Sequence, residues 1–365
     1  MSNPARLPHV PALDGVRGCA IALVLGVHFV TSVIPGGGAG VDLFFVLSGY
    51  RITRLLLAER SATGHLDLRA FYLRRAVRLV PALTVLVAVV CTGYLITGTS
   101  PGVVAMSALL AMTYTSNYAL AVDVTVVQGL QHTWSLAIEE HFYLVWPAVL
   151  VACSRTRMRA HVLQVGVALL VVAIAWRFAL VQLGAGSEWL YRATDARVLT
   201  LLGGVVLALW LNDRVMSPPI GGLALVAGAF GLAVQAVRPD LVGGAGAALG
   251  PVLLAALSTA FVAGAVAAPG RHPLSRLLTL APLMLAGRVA YGLYLWHFAI
   301  LRAVAPLRNE LGIIVTSTLA VGLTLLATWL SWTYVESPAQ RWYRGRAVSA
   351  TSGAGAVSPP GRTEP

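Results

Sequence analysis

The sequence contains no lysine, so all of its 26 basic residues are arginine. Only 11% of its 365 residues are charged, whereas a soluble domain carries about 25% charged residues. With 58% hydrophobic residues, a water-soluble fold of this length has no means of hiding the apolar surface. The arginines lie between apolar stretches and form no single basic domain, which argues against a nucleic-acid-binding protein.

Cysteine and acidic residues are also scarce. The three cysteines, Cys19, Cys91 and Cys153, lie in or beside apolar stretches without metal-type spacing, which indicates packing roles and predicts no metal site. The resulting formal net charge is +12. Two interpretations of this excess of positive charge remain open. One is phosphate binding, because guanidinium groups bind phosphate bidentately. The other is membrane orientation, because arginines beside apolar stretches fix the orientation of a membrane protein.

Long continuous apolar stretches fill most of the chain, and about 20 such residues span a bilayer as a helix. The sequence therefore predicts an all-α polytopic transmembrane bundle. The first stretch is too long for a signal peptide, so we expect it to remain as the first span. The stretches lie near 13–34, 40–57, 79–97, 102–120, 133–153, 161–183, 196–211, 219–237, 243–268, 281–305 and 312–334.

Arginine placement predicts the topology, because cytoplasmic loops are rich in basic residues. Arginines crowd 51–78, 155–159, 271–276 and 341–346, and these segments agree on one side of the membrane only if 102–120 does not cross. We therefore expect about ten spans with both termini cytoplasmic, and 102–120 re-entrant or at the outer interface.

Ionisable side chains within spans cost roughly 2.5–3.5 kcal/mol each on insertion scales, which makes them candidates for function. In the first span, Arg17 and His28 are eleven residues apart, or about 16 Å along a helix. A neutral imidazole at that depth accepts a proton from a hydroxyl group. Asp42 opens the second span and is placed to orient a histidine tautomer. The alternatives are a histidine bonded within the bundle and an interfacial aspartate at a helix N-terminus.

Two further groups lie near the middle of the chain. Arg74, Arg75 and Arg78 occupy neighbouring faces of one helix, where they suit a phosphate group or serve only as cytoplasmic anchors. The segment 132–147 holds two adjacent carboxylates in an apolar stretch, which packing does not explain. Its candidate residues are Trp134, Ser135, Glu139 and Glu140.

The last group is Arg288 with Tyr294 and His297, of which the latter two share a helix face. The aromatic residues here also suit an interfacial belt. Both the first span and this one are predicted to run outward, each with an arginine towards the cytoplasm and a histidine about 13–16 Å deeper. That arrangement predicts a phosphate-binding mouth with a reaction site further in.

In this order, the motifs resemble the acyltransferase 3 family of bacterial membrane O-acyltransferases. The resemblance covers nearly the whole chain, from Leu13 to Pro338, and the ordered set is far more specific than any single motif. The matching segments are Arg17 with His28, then 40–50, 74–81, 133–147, 291–297 and a closing 334–338.

The resemblance implies transfer of an acyl group from cytoplasmic acyl-CoA, as a substrate and not a bound cofactor, to a hydroxyl of a glycan, lipid or glycosylated metabolite. It also implies that Arg17 and His28 are essential and that the protein lies in a bacterial inner or plasma membrane. We expect the membrane acyltransferase domain to span 1–344, followed by a disordered cytoplasmic tail over 345–365. We expect no fused esterase-like domain of the kind that some members carry.

For the mechanism, we expect Arg17, Arg74, Arg75 and Arg78 to hold CoA phosphates and His28 to act as general base. Either Asp42 or the carboxylates at 139 and 140 would orient His28. Tyr294 and His297 would bind the thioester carbonyl or the acceptor. The alternative class is a transporter or flippase for an acylated or sugar-bearing lipid, with the same buried charges as a relay. A non-catalytic sensor has little to support it.

Overall fold

The apolar stretches fold into helices, because a helix satisfies its own backbone hydrogen bonds where no water is present. The computed structural model describes residues 9–155, 161–243 and 246–354, and these residues contain no β-strand. Turns of 3₁₀-helix lie at Gln128–Thr133 and Ala305–Leu307, and a π-helical turn lies at Trp332–Glu336. The α-helices are α1 (Pro11–Phe29), α2 (Ala39–Thr63), α3 (Leu68–Ile96), α4 (Pro101–Met112), α5 (Ser116–Ala121), α6 (Trp134–Arg155), α7 (Val162–Gln182), α8 (Ser187–Arg192), α9 (Thr194–Trp210), α10 (Pro218–Val237), α11 (Pro239–Gly243), α12 (Gly246–Ala267), α13 (Pro273–Leu278), α14 (Ala281–Arg288), α15 (Ala290–Val304), α16 (Arg308–Ser331) and α17 (Ser337–Ala354).

The prediction of a polytopic all-α bundle is confirmed. Within the described residues, eight helical segments are long and apolar enough to cross a membrane. The last of them, Ala290–Gly345, contains two long helices, α15 and α16. Helix α2 has 25 residues but carries more charge. Ten crossings would require α2 and both parts of the last segment to cross as well, so the number of ten spans and the side on which the termini lie stay predictions.

Helix α4 corresponds to the stretch expected not to cross. It has 12 residues, or about 18 Å of helix, against a hydrocarbon core of about 30 Å. A turn at Thr113 then leads into the short helix α5. By its length, α4 therefore does not cross as a single helix.

Helices α2 and α9 form the centre of the bundle and pack in direct backbone contact. A Cβ atom on Gly204 of α9 would lie 2.0 Å from the Val46 carbonyl oxygen of α2, so only glycine fits there. Gly49 of α2 meets the Leu201 carbonyl in the same way. Small residues of this kind let membrane helices approach closely. The contact fixes the position of α2, which carries Asp42 and Ser48, relative to α9.

The outer helices present apolar side chains to the surface. In the segment Ser187–Trp210, which contains α9, 72% of the most apolar window is buried, whereas in α7 the share is 22%. Val172 of α7, Phe230 of α10 and Ile314 of α16 are all largely exposed. Contact of such an apolar surface with lipid carries no free-energy cost, whereas its contact with water is unfavourable. The functional side chains therefore lie among α1, α2, α3, α6, α9 and α15.

Two predictions fall partly or wholly outside the described residues. Arg157 and Arg159, expected in a cytoplasmic loop, lie outside them. The predicted tail over 345–365 overlaps the end of α17, which runs to Ala354, and residues 355–365 are not described.

Candidate active site

Three cavities lie side by side within the bundle. The first has a volume of about 400 Å³ and is rich in arginine; we call it the arginine cavity. The second, the neck, is much smaller at about 100 Å³. The third is the largest at about 580 Å³ and holds three histidines; we call it the histidine cavity.

The cavities follow one another because each shares lining residues with the next. Val41 and Tyr294 line both the neck and the histidine cavity. The arginine cavity and the neck share a larger set: Arg17, Ser48, Arg75, Arg78 and Tyr143. The helix α1 runs along this row, with Arg17 at the arginine end and His28 at the histidine end. The row therefore joins two chemically different compartments through one narrow passage.

Three imidazoles meet in the histidine cavity. His28 comes from α1, His297 from α15, and His132 from the 3₁₀ turn before α6. The ring centroids of His28 and His297 are 5.0 Å apart, and those of His132 and His297 are 5.8 Å apart. Phe298 packs edge-on to His28 at 5.2 Å. The structure thus brings together two histidines that are 269 positions apart in the sequence (297 − 28).

Each imidazole is held by one ring nitrogen on a main-chain carbonyl. The Nδ1 atom of His28 bonds a carbonyl four residues earlier at 2.7 Å, and Nδ1 of His297 bonds one three residues earlier at 2.7 Å. The Nε2 atom of His132 bonds the Leu295 carbonyl at 3.0 Å. A carbonyl only accepts, so these nitrogens carry the hydrogen. In the neutral ring, the other nitrogen is then a free acceptor or base.

The geometry corrects the expectation that Asp42 orients His28. Asp42 instead accepts a hydrogen bond from Arg197 of α9 at 2.9 Å, with both side chains at most 5% exposed. Thr200 adds a weaker contact at 3.4 Å. Within the described residues, no hydrogen bond joins Asp42 to His28. The His28 tautomer is fixed by its main-chain bond, which needs no carboxylate.

The two carboxylates of α6 lie on the neck side and do not contact His28 in the described residues. Glu139 lines the neck and accepts from the Ser48 hydroxyl at 2.8 Å. Glu140 pairs with Arg75 at 3.0 Å. The Arg75 guanidinium also lies over the Tyr143 ring, 3.2 Å from its centroid. These contacts hold Arg75 rigidly at the wall shared by the neck and the arginine cavity.

Arg17 and Arg78 face the same cavities without a compensating acid. Among residues 9–155, 161–243 and 246–354, no carboxylate oxygen lies within 4.0 Å of either guanidinium. Arg51 also lines the arginine cavity, although it shares Asp14 at 3.8 Å. Unpaired guanidinium groups in a confined cavity attract an anion, and phosphate matches their geometry.

The structure does not bring Arg74 into any of the three cavities. Its guanidinium pairs with Glu59 at 3.1 Å. Arg288 lines the neck and lies 3.4 Å from Asp14. Of the two remaining basic candidates, only Arg288 is therefore placed to meet a ligand.

Ser135 and Tyr294 close the neck where it meets the histidine cavity. Their hydroxyl oxygens are 2.5 Å apart, and Tyr294 donates to the His132 carbonyl at 3.0 Å. Trp134 lines the histidine cavity, its ring 4.9 Å from the ring of Tyr191. Ser135 lines the neck and Tyr294 lines both the neck and the histidine cavity, so this hydrogen-bonded pair lies at the boundary between the two.

Sequence reasoning missed three buried polar residues: His132, Arg177 and Arg197. Arg177 of α7 is 3% exposed and donates to carbonyls of Leu190, Ala196 and Ala247. Both arginines lie inside apolar stretches, where the cost of burying a charge was the available signal. His132 was visible as part of the 132–147 segment, but nothing in the sequence placed it beside His297.

The described residues include no group of three or more histidine, cysteine or acidic side chains arranged to hold a metal ion.

A polytopic helical bundle with a row of ionisable cavities across its interior defines an integral membrane protein with a buried polar site. Comparison of the sequence with known families is more specific: the chain belongs to the acyltransferase 3 family, whose model, described as an acyltransferase domain, matches residues 10–336. The resemblance drawn from the motifs is thus confirmed, and the protein is a multi-pass membrane protein of this family.

Among characterised relatives, the chain is 30% identical over 364 residues to the peptidoglycan O-acetyltransferase OatA of Listeria monocytogenes, covering 91% of this chain and 56% of that protein. It is 30% identical over 351 residues to the O-acetyltransferase OatA of Staphylococcus aureus, covering 91% and 57%. The chain thus spans a little over half the length of these relatives. No solved structure matches it.

Proposed function

We propose that this protein moves an acyl group, and an acetyl group by preference, from acyl-CoA to a hydroxyl group of a cell-surface glycan. The observation that carries the proposal is the row of cavities, which joins unpaired arginines at one end to a free histidine base at the other. The printed names of the relatives, which include a peptidoglycan O-acetyltransferase, support acetyl as the acyl group and a glycan as the acceptor.

The donor would occupy the arginine cavity. Arg17, Arg75 and Arg78 surround its inner end, and the first and last have no carboxylate partner in the described residues. Their planar guanidinium groups suit the phosphates of CoA, which are anionic and accept two parallel hydrogen bonds from one such group. The arginine-rich segment at 51–78 predicts that this mouth faces the cytoplasm, where acyl-CoA is made. The thioester end would then enter the neck.

The acceptor would occupy the histidine cavity, with its reactive hydroxyl on Nε2 of His28. As the hydroxyl oxygen attacks the thioester carbonyl, its proton moves to His28. The carbon–sulfur bond then breaks, the ester forms, and the proton leaves His28 for the CoA thiolate. The main-chain bond on Nδ1 keeps Nε2 unprotonated at the start and stabilises the ring when it is charged.

The test is acyl transfer by the purified full chain in nanodiscs. Radiolabelled acetyl-CoA is supplied with soluble glycan fragments, and labelled ester and free CoA are counted together. The proposal predicts one CoA released for each ester formed. A protein that binds the glycan but releases no CoA would contradict the proposal and favour a flippase.

A further inference from the structure

The third imidazole of the histidine cavity, His132, has no role in the transfer step as described. It is only 5% exposed, and its Nδ1 atom has no hydrogen-bond partner in the described part of the chain. A buried polar atom without a partner costs stability, and native structures rarely tolerate one without a reason. His132 also lines the histidine cavity, so a ligand bound in that cavity is the candidate partner for its Nδ1 atom.

The chemistry of that ligand follows from the hydrogen positions. The Nε2 atom of His132 donates to the Leu295 carbonyl, so Nδ1 of the neutral ring only accepts. His297 presents the same character, because its Nδ1 donates to a carbonyl and its buried Nε2 has no partner in the described residues. The three rings lie too close together for all to be charged, since like charges in a buried site repel strongly.

The three imidazoles therefore offer hydrogen-bond acceptors in a small area, whereas the donors Arg192, Arg197 and Arg302 line other parts of the same cavity. The imidazole side of the cavity suits a ligand with several donors. An acceptor molecule with one hydroxyl satisfies His28 alone and leaves the other imidazoles unpaired. An acceptor with hydroxyls on adjacent carbons satisfies His28 and a second ring together. The aromatic wall formed by Trp134 and Tyr191 is suited to the flat apolar face of such a ring-shaped molecule.

We infer that His132 is a specificity-determining residue, which accepts a hydrogen bond from the hydroxyl next to the one that is acylated. This inference rests on the proposed function, because it assumes that the acceptor occupies the histidine cavity. It separates the roles of the rings: His28 takes the proton, and His132 holds the neighbouring hydroxyl so that only one oxygen is aligned for attack.

A merely structural role is the competing explanation, because the bond from His132 to Leu295 ties the 3₁₀ turn to α15, which carries His297. Two substitutions separate these roles. His132→Gln places an amide donor near the Nε2 position and removes the acceptor at Nδ1. His132→Asn places an amide oxygen near the Nδ1 position and removes the donor to Leu295.

The experiment measures acetyl transfer to a methyl glycoside with adjacent free hydroxyls and to its monodeoxy analogue, which lacks the neighbouring hydroxyl. Loss of one neutral hydrogen bond corresponds to about a five- to tenfold effect. We expect His132→Gln to raise KM for the full glycoside by about that factor, with kcat changed little, and to have no further effect on the deoxy analogue. We expect His132→Asn to keep most of the preference for the full glycoside.

The opposite pattern, in which His132→Asn fails and His132→Gln retains the preference, would overturn the inference in favour of a structural role. Equal use of both glycosides by the unmodified protein would also overturn it, while leaving the proposed function intact. No transfer to either glycoside or to soluble glycan fragments, together with intact binding of acetyl-CoA, would contradict the proposed function itself.

Discussion

The buried pair between Asp42 and Arg197 gives a quantitative test of how the histidine cavity is built. Its guanidinium and carboxylate are 2.9 Å apart, with side chains 5% and 3% exposed. Removing one partner of such a pair leaves an uncompensated buried charge, which costs about 3–5 kcal/mol. We therefore expect Asp42→Asn to lose about that much stability.

The reciprocal variant and the double variant complete a cycle. Arg197→Gln should lose a similar amount, because it leaves Asp42 charged and buried. The double variant should be less destabilised than the sum of the two, since residues in contact couple by about 0.5–3 kcal/mol. Thr200→Val is the matched control, because it removes only the weaker contact at 3.4 Å and should cost about 1 kcal/mol.

The assay is equilibrium unfolding by SDS titration in mixed micelles, with transfer activity measured on the folded fraction. If Asp42 were the orienting partner of His28, Asp42→Asn would remain stable while losing turnover, and Arg197→Gln would keep its activity. That result would refute the assignment of Asp42 to Arg197. Additive losses in the double variant would equally contradict the geometry.

Three further predictions test the donor side, the topology and the packing. Arg75→Ala should raise KM for acyl-CoA with a smaller change in kcat. Arg74→Ala should leave KM unchanged, because the Arg74 side chain lines none of the three cavities. Equal effects of the two substitutions would mean that both arginines serve membrane orientation. In a cysteine-free background, Ala62→Cys should resist a membrane-impermeant thiol reagent applied to intact cells and Val33→Cys should react, and the reverse would invert the topology. Gly204→Ala should prevent stable assembly, because its Cβ would lie 2.0 Å from a backbone carbonyl of α2, and a folded, active variant would contradict the close contact between α2 and α9.

The sequence alone predicted the spans and the depth of the key side chains. The helical rise and the placement of the arginines predicted different depths in the membrane for Arg17 and His28. The same reasoning predicted that His297 lies at the depth of His28. These predictions rest on the helical rise and on the cost of buried charge, which are local properties. The rings of His28 and His297 are indeed neighbours, at 5.0 Å.

Lateral neighbours were not predictable, because the rotation of each helix and the order of packing depend on the whole bundle. Asp42 faces α9, where Arg197 lies 155 residues further along the chain. Arg74 and Arg75 are adjacent in sequence, yet one pairs with Glu59 and the other lines the neck. A one-residue step on a helix turns the side chain by about 100°, which decides between the two environments.

The central claim is that His28 is the base that activates the acceptor hydroxyl. The most direct measurement is the pH dependence of acetyl transfer to a glycan by the purified protein and by His28→Gln, with acetyl-CoA binding and folding checked for both. The unmodified protein should lose activity at low pH as one group becomes protonated, since a protonated imidazole accepts no proton. His28→Gln should bind acetyl-CoA normally, transfer about 10²–10⁴ times more slowly, and lack that limb of the profile. Near-normal turnover by His28→Gln with the same pH profile would contradict the account and move the base to another group in the row of cavities.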